Sequence, residues 1–115
     1  MIARLLATMS VAMMATAPVA GAGFDVTAIG VRGGLDEGDL SAWMIAPQGQ
    51  EKAVMCDAGS LVNGIQAARR TGALRGSLDT ILHDDIAGYL ISHPHLDHVS
   101  GMLIASPEDS AKSIY

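Results

Sequence analysis

From Phe24 to Val31 apolar and polar residues alternate with a period of two, which predicts a strand, and Gly33-Gly34 marks the turn that ends it. Asp36 to Asp39 form an acidic loop containing Gly38. A second strand is expected from Leu40 to Ala46, carrying Trp43. Pro47 to Gln50 form a turn, and a third strand is expected from Ala53 to Asp57. Three short strands joined by tight turns predict a meander at the edge of a sheet. The period then changes: Ser60 is placed to cap a helix from about Leu61 to Thr71, with Gly72 as its stop. Leu61, Ile65 and Ala68 share one face, while Arg69 and Arg70 face solvent near the negative end of the helix dipole. A mostly polar stretch, Arg75 to Asp85, leads into a strand at 88–93 whose run Gly88-Tyr89-Leu90-Ile91-Ser92 reads as buried. The order β-β-β-α-β gives a mixed α/β (α+β) class, without internal repeats.

Length holds this to at most one domain, and residues 1–22 are set apart from it. Arg4 supplies a positive start, Leu5 to Ala17 an apolar stretch, and Ala20-Gly21-Ala22 a small-x-small cleavage pattern, the layout of a cleaved secretory signal. The apolar stretch is shorter than the roughly 20 residues that span a bilayer. Export without a stable membrane anchor is therefore expected, to the periplasm of a Gram-negative cell or otherwise to the medium. Without Arg4, six basic residues face twelve acidic ones, a net charge of −6. Nucleic acid and anionic membrane are poor partners for such a surface, since both need clustered Lys and Arg. Cys56 is the only cysteine, so no internal disulfide can form. Its apolar neighbours Ala53, Val54 and Met55 predict a small buried hydrophobe rather than a reactive thiol.

The segment His93-Pro94-His95-Leu96-Asp97-His98 gathers three imidazoles and a carboxylate at a strand end. Imidazole nitrogen and carboxylate oxygen are the donors that Zn²⁺ and similar ions prefer. Residues two apart on an extended chain point to the same side, and Pro94 favours extension at His93. His93 and His95 can thus converge on one metal, with Asp97 and His98 aimed at a second point once the chain turns. His83, alone in a polar stretch, is expected to be a solvated loop residue. Asp57 ends an apolar strand before Ala58-Gly59-Ser60; local sequence fits equally a carboxylate supporting the histidines and a strand-end or capping residue. Gly33-Gly34 reads as a plain turn, and Asp36-Glu37-Gly38-Asp39 lacks the spacing of a calcium loop.

Taken together, His93-Pro94-His95-Leu96-Asp97-His98 resembles the signature of the metallo-β-lactamase superfamily. Extended through Val99-Ser100-Gly101-Met102-Leu103-Ile104-Ala105-Ser106-Pro107, it resembles the narrower signature of class II cyclic-nucleotide phosphodiesterases. Gly33-Gly34, Asp39-Leu40-Ser41-Ala42, Asp57-Ala58-Gly59-Ser60 and Gly64-Ile65 are similar too, so the likeness runs from about Phe24 to Pro107. The resemblance implies the N-terminal half of a four-layer αβ/βα sandwich. It also implies metal-dependent hydrolysis of 3′,5′-cyclic AMP, with cyclic GMP as a second candidate, to the 5′-monophosphate. Two divalent ions, Zn²⁺ foremost, are implied, with His93 and His95 on the first, Asp97 and His98 on the second, Asp97 also orienting the nucleophile, and Asp57 supporting the site. The family pattern asks for more: further histidines and a bridging aspartate from the second half of the fold. After His98 there is no histidine, and the only later acids are Glu108 and Asp109. Lys112-Ser113-Ile114-Tyr115 reads as the start of another strand. A fragment of a longer protein is therefore expected. The alternatives are a catalytically incomplete chain and another hydrolase of the same fold, acting on a lactam, a thioester or a different phosphodiester.

Overall fold

A computed structural model describes residues 23–34, 38–106 and 109–115. Residues 1–22, where the secretory signal is expected, residues 35–37, which include Asp36 and Glu37 of the acidic loop, and Pro107 and Glu108 lie outside the described residues. The elements are β1 (Phe24–Gly30), β2 (Ala42–Pro47), β3 (Ala53–Cys56), α1 (Val62–Thr71), α2 (Leu78–Thr80) running into a π-helical turn at Ile81–Asp85, β4 (Ile86–Leu90), α3 (Leu96–Ala105) and β5 (Ser113–Ile114). They form one five-stranded sheet in the order β1-β2-β3-β4-β5. The first three strands are the antiparallel meander expected from the alternation, and β4 and β5 then add in parallel. The expected start of another strand at Lys112-Ser113-Ile114-Tyr115 is β5.

Alternation divides the sheet into two unlike faces. Paired across neighbouring strands, Met44, Met55 and Tyr89 point to the helix side, where Met55 and Tyr89 are almost wholly buried with Leu61, Ile65, Ile81, Leu82 and Ile86. Burial of each such side chain contributes roughly 1.5–3 kcal/mol. The opposite face carries Phe24, Val26, Ala28, Trp43, Ile45, Val54, Cys56 and Leu90, with no charged residue among them. Phe24, Val26, Trp43 and Leu90 are exposed on it.

Four local expectations are corrected. Ser60 does not cap α1: the N-cap is Leu61, without a side-chain bond, because Ser60 Oγ accepts the Leu40 N–H at 2.9 Å instead. Gly72 does end the helix, in the left-handed region at φ 79°. The polar stretch 75–85 is in large part helical, and buries Ile81 and Leu82 to tie that stretch to the core. The strand expected at 88–93 starts two residues earlier and ends at Leu90. Cys56 lies on the open face and is only partly buried.

β3 and β4 are parallel neighbours, so their C-terminal ends emerge at one edge. Asp57 follows the first and His93 the second. In sheets with parallel strands that edge is where ligands are commonly held. α3 is fastened there too: Ala58 N–H donates to His98 O at 2.7 Å, Met102 N–H to Ala58 O at 3.1 Å and Ser100 Oγ to Gly59 O at 3.0 Å. Gly101 makes this contact possible, because a Cβ there would lie 2.6 Å from both Ala58 O and Leu61 N.

Candidate metal centre at the β4–α3 junction

His93 and His95 sit in the non-helical link after β4, and His95 is the extended N-cap of α3 (φ −69°, ψ 149°). Asp97 and His98 occupy the first turn of that helix. The extended link brings the His93 and His95 rings edge to face, 4.6 Å between centroids. The turn does not carry His98 away from them: its ring centroid is 3.9 Å from that of His93. Asp97 Oδ2 is 3.4 Å from His98 Nε2. The sequence-predicted donors therefore form one cluster. His83 is exposed on the π-helical turn and takes no part in it.

Asp57 joins this cluster from β3. Its backbone lies at φ 58°, a region that aspartate tolerates better than most residues, and this turns the side chain under the histidines. Asp57 Oδ2 lies 2.7 Å from His98 Nδ1 and accepts Ser92 Oγ at 3.1 Å and Ser41 Oγ at 3.3 Å; Oδ1 accepts the Ser92 N–H at 2.9 Å. The residue is 8% exposed. Burial alone pushes its carboxyl up, but the Ser92 N–H, then His98, then the Ser92 hydroxyl outweigh this and hold it below the usual carboxylate value. A carboxylate on Nδ1 favours a proton on that nitrogen. It leaves Nε2 as the lone-pair side of His98, the arrangement common behind metal-bound histidine.

Asp97 is held from the other side. Gly34 N–H donates to its Oδ2 at 3.0 Å, and that bond is the first cause of a carboxyl pKa lowered from its ordinary value. Sequence reasoning missed Ser92, Ser41 and Gly34 as parts of the site. Ser92 had a signal, since it directly precedes the histidine motif; Ser41 and Gly34 come from distant segments and had none beyond their place in the family resemblance.

The chemistry of the donor set suits a divalent ion: three imidazoles and one carboxylate on a single junction, with the tautomer of His98 set by a second carboxylate. Among the described residues, no three of these donors converge as they would on a single ion. Beside Asp97 a cavity of about 560 Å³ opens between Leu40, Leu61, Val62, Asn63, Leu96 and Ile104. Its size falls within the range of small-molecule sites, and its walls are chiefly apolar.

A family model described as cAMP phosphodiesterases class-II matches residues 78–114. The 3′,5′-cyclic-nucleotide phosphodiesterase of Aliivibrio fischeri is 41% identical over 102 residues, which cover 80% of this chain and 31% of that protein. The probable 3′,5′-cyclic-nucleotide phosphodiesterase of Yersinia pestis is 40% identical over 104 residues, 82% of this chain and 30% of that one. Among solved structures, unliganded yeast PDE1 superposes with a TM-score of 0.60 at 17% identity, over 81% of this chain and 41% of that chain. The chain thus spans about a third of the length of the curated relatives it matches. The structural likeness supports the fold reading, a mixed α/β sheet that makes up part of a larger architecture.

Proposed function

The chain belongs to the class II cyclic-nucleotide phosphodiesterase family, and from that membership we propose that it forms the N-terminal part of a metal-dependent hydrolase of 3′,5′-cyclic AMP. Cyclic GMP is the second candidate substrate. Water adds across the phosphorus–O3′ bond: a phosphorus–oxygen bond forms, the bond to O3′ breaks, and O3′ leaves with a proton as the 5′-monophosphate is released. The observation that carries this reading is the cluster of His93, His95, Asp97 and His98, with His98 fixed by Asp57.

His93 and His95 would hold one divalent ion, and Asp97 and His98 a second, with Zn²⁺ the expected metal. When bound, such ions lower the pKa of water and offset the charge that grows on the phosphoryl oxygens. This chain's residues do the positioning. Asp57 keeps the Nε2 of His98 turned outward. Asp97, with one lone pair of Oδ2 tied to Gly34, would turn the rest of its carboxylate to the second ion and the attacking water. The cavity beside Asp97 has room for a nucleotide-sized ligand. Residues 1–22 are proposed as a cleaved export signal, which places the enzyme in the periplasm or outside the cell. Among the described residues no helix is long and apolar enough to cross a membrane.

The test is a substrate panel on purified full-length protein. Cyclic AMP should be cleaved, a chelator should abolish cleavage, and His95→Ala should reduce it to the chelated level. Hydrolysis of a lactam or thioester with no action on cyclic AMP would overturn the proposal.

A further inference from the structure

We propose that Gly34 is a positioning residue of the metal centre, whose left-handed backbone aims its N–H at Asp97 and so sets the orientation of that ligand. The inference rests on the metal-centre reading above and assigns a role to a turn that had read as mere punctuation. Gly34 has φ +73°, and its N–H meets Asp97 Oδ2 at 3.0 Å across 63 residues of sequence. A Cβ built on Gly34 would find nothing within 4 Å, so space does not require glycine there. The backbone conformation does: a β-branched residue avoids this region, and a change of φ would swing the N–H off the carboxylate. At the neighbouring Gly33, a Cβ would stand 3.2 Å from the same Asp97 oxygen, so the turn lies directly over the ligand.

The turn is also braced on both sides. Arg32 N–H donates to Asp39 O at 2.7 Å, and Arg32 bridges to Leu40. Leu40 N–H donates to Ser60 Oγ at 2.9 Å and Gly59 N–H to Ser41 O at 2.8 Å. The described stems of the β1–β2 connection, Arg32 on one side and Asp39, Leu40 and Ser41 on the other, are thereby tied to each other and to the segment that receives α3, close to where Gly34 meets Asp97. With Oδ2 occupied by an N–H, Asp97 can offer a metal only its remaining oxygen and the remaining lone pair of Oδ2, which restricts how it coordinates.

The test measures Co²⁺ affinity and the visible spectrum of the Co²⁺-loaded full-length protein, with no substrate present. Gly34→Val should weaken Co²⁺ binding about 10–100-fold, the usual effect of losing a partner that orients a ligand, and should alter the spectrum. Gly34→Asn, which tolerates positive φ, should restore both to within about threefold of the parent. Gly72→Val is the matched control: φ +79°, no atom within 4 Å, and far along the chain from the cluster. It should lower thermal stability and leave Co²⁺ binding unchanged. Tight Co²⁺ binding by Gly34→Val, or equal weakening by Gly72→Val, would overturn the assignment. A parent that binds Co²⁺ without cleaving cyclic AMP sinks the substrate reading alone, and the Gly34 comparison still decides this one.

Discussion

At the scale of single residues, sequence showed which groups are present and hid what they touch. His93, His95, Asp97 and His98 were legible because their donors lie within six positions on one junction. Asp57 was undecided between two roles, since its partners Ser92 and His98 are 35 and 41 residues away. Asp85 had no reading of its own, yet it is set against its surroundings. Burial first, then Glu51 and Asp84, raise its carboxyl above the ordinary carboxylate value, with Lys52 offsetting part of this. A carboxyl that binds its proton more tightly when folded favours the folded state at low pH. That advantage is lost as pH rises from the unfolded value, about 4, through the folded one. Asp85→Asn should therefore raise the melting temperature at pH 7 and cease to do so below about pH 4, as followed by thermal denaturation across pH. A gain that persists unchanged at pH 3 would show that charge is not the cause.

At the scale of elements, the meander and α1 were legible because their periods are clean and their turns carry Gly, Pro and Asp. The helical stretch before β4 was not. It is short, and its apolar positions Leu78, Ile81 and Leu82 are diluted by polar neighbours, so only packing against the sheet reveals it. The edge of β4 was blurred for a related reason: Ile91 N–H still donates to Tyr115 O at 2.8 Å beyond the strand, which makes the run look longer. Packing between elements is close where α3 crosses the β3–α1 link at Gly101. Gly101→Ala would force a methyl onto Ala58 O and Leu61 N. Overpacking of this kind costs about 1–3 kcal/mol. The melting temperature should fall by roughly 4–8 °C per kcal/mol for a domain of this size. Metal affinity should fall with it, because the helix carries Asp97 and His98. An unchanged melting curve would mean that α3 yields without cost.

At the scale of the whole molecule, the described residues cover the sheet on one side only. The face bearing Phe24, Val26, Trp43, Ile45, Val54 and Leu90 is apolar across four strands and open to solvent. Patches of that kind mark surfaces that bury against something else. The superposition covers 41% of the solved chain it matches, in keeping with a sheet that is part of a larger architecture. The 115-residue chain on its own should therefore self-associate with concentration and bind a hydrophobic dye, with Trp43 fluorescence shifting to the blue as it does so. Trp43→Lys with Val26→Lys should suppress both. Sedimentation that shows a monomer at every concentration, with no dye bound, would count against an unsatisfied face.

The ties around the proposed metal centre span 63 residues from Gly34 to Asp97, 41 from Asp57 to His98 and 35 from Asp57 to Ser92. Each encloses a long loop whose closure entropy must be met before the contact returns anything, and such loops close late as a chain folds. The histidine run would then stay an open, flexible tether until Asp57 and Gly34 come into place beside it. An ion captured at that stage would be gripped in the wrong company, so metal loading should follow closure of the β3–β4 edge, which brings Asp57 beside the histidines.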